Sequence, residues 1–287
     1  MDNLSNISVI RDVLTRHGFT FSKGLGQNFL INPTVCPRMA EMGYAQPGWG
    51  MIEIGAGVGV LTAELAKRAD KVVCIEIDSR LLPVLDETLA GYDNIKIVNQ
   101  DVLKVDLHRL IQEEFGDKPV AVCANLPYYI TSPIIMSILE ARLPIQALTV
   151  MVQKEAAQRI CALPGSREVG AVSLAIRYYC EPKVLFQVSR GSFLPAPDVD
   201  STVIRLDIRP EPPVQLEREE CFFQVVKGAF SQRRKTLSNT LSGSLGMSKP
   251  QVAQLLEEAG VSPSLRAEQL SMEQFAQIAN ALAAATR

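Results

Sequence analysis

A chain of 287 residues has room for about two domains and a hydrophobic core that needs no disulfide support. Hydrophobic residues make up 47% and charged residues 21%, as in soluble globular proteins, and no apolar run is long enough to span a membrane. The polar, acidic N-terminus predicts no secretory signal, and six scattered cysteines with two histidines match neither a zinc site nor a disulfide framework. We expect a cytoplasmic protein without a metal.

The formal net charge of −2 constrains the choice of partner. Many proteins that bind nucleic acids carry a positive field over a whole domain, whereas this chain has 29 basic and 31 acidic residues. A nucleic-acid partner therefore requires a local basic patch.

The first 208 residues alternate short apolar runs with helical patterns, which predicts an α/β fold with a mostly parallel sheet. Two later strands are separated by a proline-rich stretch with no room for a helix of normal length, so we expect an antiparallel end to the sheet. The predicted strands are Met51–Ile54, Lys71–Ile75, Ile95–Val98, Val120–Cys123, Ala147–Val152, Lys183–Val188 and Ser201–Ile208.

A stiff proline-rich linker over residues 209–213 ends this pattern, because proline continues neither a helix nor a central strand. Only helical patterns follow it. We predict two domains, 1–208 and 209–287, with the second all-helical. Its predicted helices are Glu217–Phe230, Arg233–Ser242, Lys249–Ala259 and Ser271–Ala285.

A glycine-rich turn follows the first predicted strand of the sheet and opens a helix. Gly55, Gly57 and Gly59 allow the backbone to turn tightly and to approach a ligand closely. The dinucleotide-binding pattern requires a glycine where Val60 stands, so that pattern fails. The turn, preceded by Glu53, resembles motif I of class I S-adenosylmethionine-dependent methyltransferases; a plain strand-to-helix turn is the alternative.

Acidic residues end the next two strands. Glu76 lies about twenty residues after the glycines, where a carboxylate can accept both ribose hydroxyls of a nucleoside cofactor. Asp78 better suits the cap of the following helix. Asp101 ends the third strand and can accept from the exocyclic amine of a bound adenine. Either acid alone could be a helix cap or a solvated charge, but their spacing favours a cofactor site.

The segment from Asn125 to Tyr128 follows the fourth strand and resembles the N/D-P-P-Y motif of methyltransferases that modify amines. An adenine N6 amine is a poor nucleophile, because its lone pair is delocalised into the ring. The Asn125 side-chain oxygen and the Leu126 carbonyl could hold its two N–H groups and direct the lone pair. Pro127 would fix the loop, and Tyr128 would stack on an extruded base.

Taken with further segments, these motifs identify the chain as similar to the ribosomal RNA adenine N6-dimethyltransferase family over about residues 20–280. That resemblance implies S-adenosylmethionine as the cofactor, with contacts at Asn28, Leu30, Gly55, Gly57, Glu76, Asp101 and Asn125, and Phe193 as a second stacking wall opposite Tyr128. The segments that carry it are Lys23–Leu30, Met151–Arg159, Phe193–Ser201, Phe230–Leu237 and Arg266–Ser271.

The family resemblance also implies a substrate, which is 16S rRNA in the small ribosomal subunit or its precursor. The expected reaction is N6,N6-dimethylation of two adjacent adenines in the 3′-terminal hairpin loop, performed by a cytoplasmic monomer during subunit biogenesis. The cluster Arg233, Arg234 and Lys235 would bind RNA phosphates despite the acidic chain; alone, it could be a solvated helix face.

Two other functions stay open on the sequence. A macrolide-resistance methyltransferase of the same superfamily would modify one adenine of large-subunit rRNA, but it typically has isoleucine in place of Leu126 and a more basic chain. A ribosome-assembly or transcription factor would keep the fold without the chemistry. That second alternative is opposed by the intact set of Gly55, Glu76, Asp101, Asn125 and Tyr128.

Overall fold

The computed structural model describes residue 4, residues 6–20 and residues 27–286. The chain forms two compact units, one of Met1–Ala157 with Lys183–Ile208 and one of Gln158–Pro182 with Arg209–Arg287. The predicted division at 208 and 209 placed residues 158–182 in the first domain, whereas the structure groups them with the second unit. The reason is apolar packing, since the Tyr178 ring packs against the Phe222 ring with 5.3 Å between ring centroids.

The helices and strands of the first unit run as follows, in chain order. They are α1 (Ile7–Arg16), β1 (Phe29–Leu30), α2 (Val35–Met42), β2 (Gly50–Ile54), α3 (Val60–Ala66), β3 (Lys71–Glu76), α4 (Leu82–Thr88), β4 (Ile95–Asn99), α5 (Leu107–Phe115), β5 (Val120–Asn125), α6 (Thr131–Glu140) and β6 (Ala147–Gln153). The chain then passes through α7 (Lys154–Ile160), α8 (Ala171–Tyr179), β7 (Cys180–Val188), β8 (Phe193–Leu194) and β9 (Ser201–Ile208).

Seven strands form one sheet in the order β4-β3-β2-β5-β6-β9-β7. The first five strands of that order pair in parallel, and β9 pairs antiparallel with β6. Both the parallel sheet and its antiparallel end are confirmed. The central strands β2 and β5 are buried almost throughout, which is why their sequences read as continuous apolar runs. A separate two-stranded sheet joins β1 to β8.

The second unit is built mainly from α9 (Glu219–Ala229), α10 (Leu237–Leu245), α11 (Lys249–Glu258) and α12 (Met272–Ala285). Its core contains Phe222 and Phe275, both with no exposed surface. The helix predicted over Arg233–Ser242 is wrong at its start. The Lys235 N–H donates to the Gln232 carbonyl in a turn, and Thr236 has an extended backbone with ψ 159°, so the helix begins after them.

Helix caps set where several elements begin. Asp78 accepts from the Arg80 N–H at 3.1 Å, so its expected role as a cap is confirmed. Ser271 accepts from the Gln274 N–H at 3.2 Å at the start of α12. Each such cap satisfies a backbone donor that the helix leaves unpaired. Within the described residues, no helix has the length and apolarity needed to cross a membrane.

Gly59 offers a test of how tightly the glycine-rich turn packs. Its φ is +85°, and a Cβ there would lie 3.0 Å from Leu89 and 3.1 Å from Thr88. Gly48 has the same φ of +85° but nothing within 4 Å of a Cβ. We expect Gly59→Ala to lower the free energy of unfolding by about 1–3 kcal/mol more than Gly48→Ala, because only Gly59 adds crowding to backbone strain.

Urea unfolding followed by circular dichroism measures this difference, with Gly48→Ala as the matched control for left-handed strain alone. Equal losses in the two variants would mean that the turn has room for a side chain.

Candidate functional site

A cleft opens at the carboxyl ends of the parallel strands, within the first unit. Ligands of open α/β sheets bind at this edge, because the strand-to-helix turns converge there. The cleft encloses about 1190 Å³ with its open mouth included, ample for a nucleoside-sized ligand. The structure brings together all predicted cofactor and catalytic residues in its lining: Asn28, Leu30, Gly55, Gly57, Glu76, Asp101, Asn125, Leu126, Pro127, Tyr128 and Phe193.

The glycine-rich turn is tied to the end of β3 by a hydrogen bond. Gly57 has a φ of +57° and donates its N–H to Glu76 Oε2 at 3.0 Å. A Cβ on Gly57 would lie 3.3 Å from the Phe29 ring, so the absence of a side chain also permits close packing. The turn therefore keeps its backbone at the cleft wall, where a ligand could approach it closely.

Glu76 is 5% exposed, and burial raises the pKa of its carboxyl, while backbone N–H donors oppose that shift. Its Oε1 accepts from the Asp78 N–H at 2.9 Å, and its Oε2 accepts from Gly57. A carboxylate offers about four lone-pair positions, so capacity remains for hydroxyl donors. The vicinal hydroxyls of a ribose supply two such donors, and the residue fits a nucleoside cofactor.

The end of β4 and the turn after β3 supply contacts for a flat ring. Asp101 is half-buried, and its Oδ1 accepts from the Leu103 N–H at 3.1 Å, which leaves Oδ2 available. Ile77, which the sequence analysis missed, lines the cleft with 56% of its surface exposed. An apolar residue between two acids at a strand end was the available signal. Ile77 and Val102, the residue after Asp101, both line the cleft and offer apolar surface for a purine.

The sheet of β1 and β8 brings distant parts of the chain to the cleft. Leu30 is the partner of Phe193, and Phe29 that of Leu194. Phe193 is only 3% exposed, so little of its ring is open to the cleft. The part of the N-terminal motif at residues 23–26 lies outside the described residues, while Asn28 lies within them at the cleft.

The segment after β5 presents two oxygen acceptors. In the described part of the chain, neither the Asn125 side-chain amide nor the Leu126 carbonyl has a hydrogen-bond partner. The Pro127 carbonyl, by contrast, accepts from the Ile130 N–H at 3.2 Å and from the Thr131 hydroxyl at 3.0 Å. The turn is thus held by Pro127, and the two preceding acceptors remain available to a substrate amine.

Tyr128 is anchored beside these acceptors. Its hydroxyl shares a 2.7 Å hydrogen bond with the Ser201 hydroxyl at the start of β9. Burial raises the pKa of the Tyr128 phenol, an effect that the Ser201 hydrogen bond opposes. The ring stays neutral near pH 7 and can serve as a stacking surface, but not as a general base.

The predicted RNA-binding cluster of Arg233, Arg234 and Lys235 lies in the second unit, in the exposed turn before α10. Arg233 donates from Nη2 to the Arg167 carbonyl at 3.4 Å. Within the described residues, none of the three cations forms a salt bridge with a carboxylate. Unpaired cations on a turn are available to phosphates.

The strand order, the glycine-rich turn and the acids ending β3 and β4 define a class I S-adenosylmethionine-dependent methyltransferase. A family model described as ribosomal RNA adenine dimethylase matches residues 18–284. The chain belongs to the ribosomal RNA adenine dimethylase family, and it is an S-adenosylmethionine-dependent enzyme.

Relatives with curated names resemble the chain over nearly its whole length. It is 48% identical over 286 residues to ribosomal RNA small subunit methyltransferase A of Bacillus cytotoxicus, with 98% of each chain covered. Its identity to the protein of the same name from Geobacillus sp. (strain WCH70) is 50% over 276 residues, with 95% of each chain covered.

Solved structures show the same fold. The crystal structure of 23S rRNA methyltransferase ErmE matches with a TM-score of 0.69 and 30% identity, over 89% of this chain and 100% of that one. A dimethyladenosine transferase from Plasmodium falciparum matches with a TM-score of 0.72 and 24% identity, over 87% of this chain and 95% of that one. The second likeness concerns the fold alone.

Glu53 at the base of the cleft makes stability depend on pH. The residue is 1% exposed, and burial raises the pKa of its carboxyl from 4.5 to about 8. Because folding raises this pKa, the folded state is favoured at low pH and loses that advantage as pH rises from 4.5 through about 8. Glu53→Gln, which is neutral at every pH, escapes this loss.

We expect the stability gain of Glu53→Gln over the parent to grow between about pH 5 and about pH 8.5 by at least about 1.4 kcal/mol, one pKa unit. Denaturant unfolding at both pH values measures the gain. The exposed Glu140, on α6 of the same unit, supplies the control Glu140→Gln. A gain that does not change with pH would show that the Glu53 carboxyl titrates normally.

Proposed function

We propose that the protein transfers methyl groups from S-adenosylmethionine to N6 of adenines in small-subunit ribosomal RNA. The observation that carries this proposal is the pair of unpartnered acceptors at Asn125 and Leu126, which lies in one cleft with Glu76 and Asp101. Relatives at 48% and 50% identity are ribosomal RNA small subunit methyltransferases by name, which supports the small subunit as the substrate.

Asn125 and Leu126 would act by holding the target amine. Two N6 hydrogens donated to their oxygens favour a tetrahedral nitrogen, whose lone pair then points along one direction. Bound S-adenosylmethionine supplies an electrophilic methyl group. The ring of Tyr128, held by Ser201, would stack on the extruded adenine, with Phe193 at the other side of the cleft. No strong base is needed for this positioning.

The cofactor would be held by the rest of the cleft. Glu76 would accept from the ribose hydroxyls, and Asp101 would accept from the adenine amine. Gly55 and Gly57 give the ligand close access to the backbone, while Asn28 and Leu30 would cover it from the β1 side. These roles agree with the hydrogen-bonding capacity that remains at Glu76 and Asp101.

The finer proposal concerns the target and the state of the enzyme. Two adjacent adenines in the 3′-terminal hairpin loop of 16S rRNA would each receive two methyl groups, within the small subunit or its precursor. The protein would act as a monomer in the cytoplasm during subunit biogenesis. Light scattering after size-exclusion chromatography tests the monomer.

Mass spectrometry of adenines tests the activity directly. Purified protein and S-adenosylmethionine are incubated with small subunits that lack the modification and, separately, with large subunits. The proposal expects N6,N6-dimethyladenosine at two adjacent positions of the small-subunit RNA. Modification of large-subunit RNA alone would favour the macrolide-resistance activity. Binding to small subunits without any methylation would favour an assembly factor.

Asn125→Ala separates the chemistry from the fold. The variant keeps Pro127 and Tyr128 but loses one of two acceptors, so the single-turnover methylation rate should fall by about 10²-fold or more. RNA affinity should change little. The control Gln146→Ala removes an exposed amide beside the amino end of β6, away from the cleft, and should keep the parental rate. Dimethylation by Asn125→Ala at near the parental rate would remove this residue from the amine site.

The basic cluster predicts a salt-dependent loss of RNA binding. Replacing Arg233, Arg234 and Lys235 together by alanine should weaken binding to small subunits and reduce the slope of log K against log salt by roughly 0.7–0.9 per lost phosphate contact. Cofactor affinity should not change. A triple alanine variant at three exposed cations of the first unit makes the same charge change: Lys67, Lys96 and Arg109. Equal slopes for both triple variants would identify the cluster as an ordinary solvated surface.

A further inference from the structure

Tyr129 is an exposed aromatic residue that belongs to neither the amine site nor the cofactor contacts. Its exposed fraction of 64% is the highest among large hydrophobic side chains in the described part of the chain. Single exposed apolar residues are common and need no function. Tyr129 differs because it lines the cleft and directly follows Tyr128.

The backbone that carries Tyr129 is held on both sides. The Ile130 N–H and the Thr131 hydroxyl both donate to the Pro127 carbonyl, at 3.2 Å and 3.0 Å. On the other side, the Tyr128 hydroxyl is bonded to Ser201 at 2.7 Å. Among the described residues, the Tyr129 side chain has neither a hydrogen bond nor an aromatic contact. The turn therefore holds the backbone of Tyr129, while no described residue stacks on its ring or hydrogen-bonds to it.

We propose that Tyr129 is a stacking platform for the nucleotide that flanks the target adenine. This inference rests on the proposed function, because it takes a single-stranded RNA segment as the ligand. An adenine in the cleft against Tyr128 stays joined to its neighbour through one phosphodiester, so the neighbour must lie at the mouth. Tyr128 and Tyr129 are adjacent in the chain, with Cα atoms about 3.8 Å apart, and both line the cleft, so their rings would meet successive nucleotides.

Stacking suits this position chemically. Every base has an aromatic face, so an exposed ring binds a flanking nucleotide without reading its identity. A neutral phenol also avoids the cost of burying a charge, and the Tyr129 hydroxyl can stay in water. Whichever of the two adjacent adenines is in the cleft, the platform would hold a nucleotide that flanks it. Both modifications would therefore depend on the platform.

Steady-state methylation of unmodified small subunits measures the contribution of the ring. We expect Tyr129→Ala to lower kcat/KM by about 5- to 150-fold, the effect of losing one base–aromatic stack, mainly through a higher KM. Tyr129→Phe keeps the ring and should stay within about twofold of the parent. The control Val184→Ala trims a side chain that is 56% exposed on β7 and should have no effect. Cofactor affinity should be unchanged in all three variants.

Photocrosslinking identifies the nucleotide that the ring meets. Tyr129→p-benzoylphenylalanine, irradiated on small subunits with S-adenosylhomocysteine present, should crosslink next to the methylated adenines, whereas Val184→p-benzoylphenylalanine should not.

Crosslinks only at distant nucleotides or on ribosomal proteins would overturn the inference. So would a parental KM for Tyr129→Ala, or a Phe variant as impaired as the Ala variant. A parent protein that binds subunits but methylates no adenine contradicts the proposed function instead, and the crosslink position still tests the platform.

Discussion

The hydrogen bond from the Gly57 N–H to the Glu76 carboxylate is the interaction on which the cofactor side of the cleft depends. It joins the turn after β2 to the end of β3, two segments that the parallel register already brings side by side. Because Glu76 is buried, a missing backbone donor would leave its charge poorly compensated. The same bond fixes both the left-handed backbone of the turn and the direction of the carboxylate.

The amine-binding side of the cleft depends on a different arrangement. The Pro127 carbonyl accepts both hydrogen bonds that close the turn, and the two acceptors before it stay available. The Asn125 side chain and the Leu126 carbonyl receive no hydrogen bond from the described residues. An acceptor left without a donor has a free-energy cost unless water or a ligand reaches it. In the open cleft, water can donate to these acceptors until a substrate amine replaces it.

Much of the fold and of the cleft lining was predictable from the sequence, and the elements and residues that the prediction missed have physical causes. Near-continuous apolar runs bounded by glycine-rich turns predicted the central strands. The parallel topology then predicted that the acids at the strand ends lie at one edge of the sheet. The two-residue strands β1 and β8 were missed, because strands this short that pair across residues far apart in sequence leave no local period. The start of α10 was misplaced because three adjacent cations read as a helical face, whereas the turn at Lys235 depends on its contact with Gln232. Ile77 was overlooked because an apolar residue at a strand end looks like core.

The return of the chain to the first unit after residues 158–182 has a consequence for biosynthesis. Strand β9 fills the sheet position between β6 and β7, and it is the last strand of the sheet to be translated. Until Ser201–Ile208 leave the exit tunnel, β6 has an unpaired edge, and nascent chains with such edges are prone to pair with one another. The cleft is also incomplete until then, because the Tyr128 hydroxyl waits for Ser201. Vectorial synthesis therefore delays a finished active site until more than about three quarters of the chain has been made, since residue 208 of 287 closes the sheet and must first leave the tunnel.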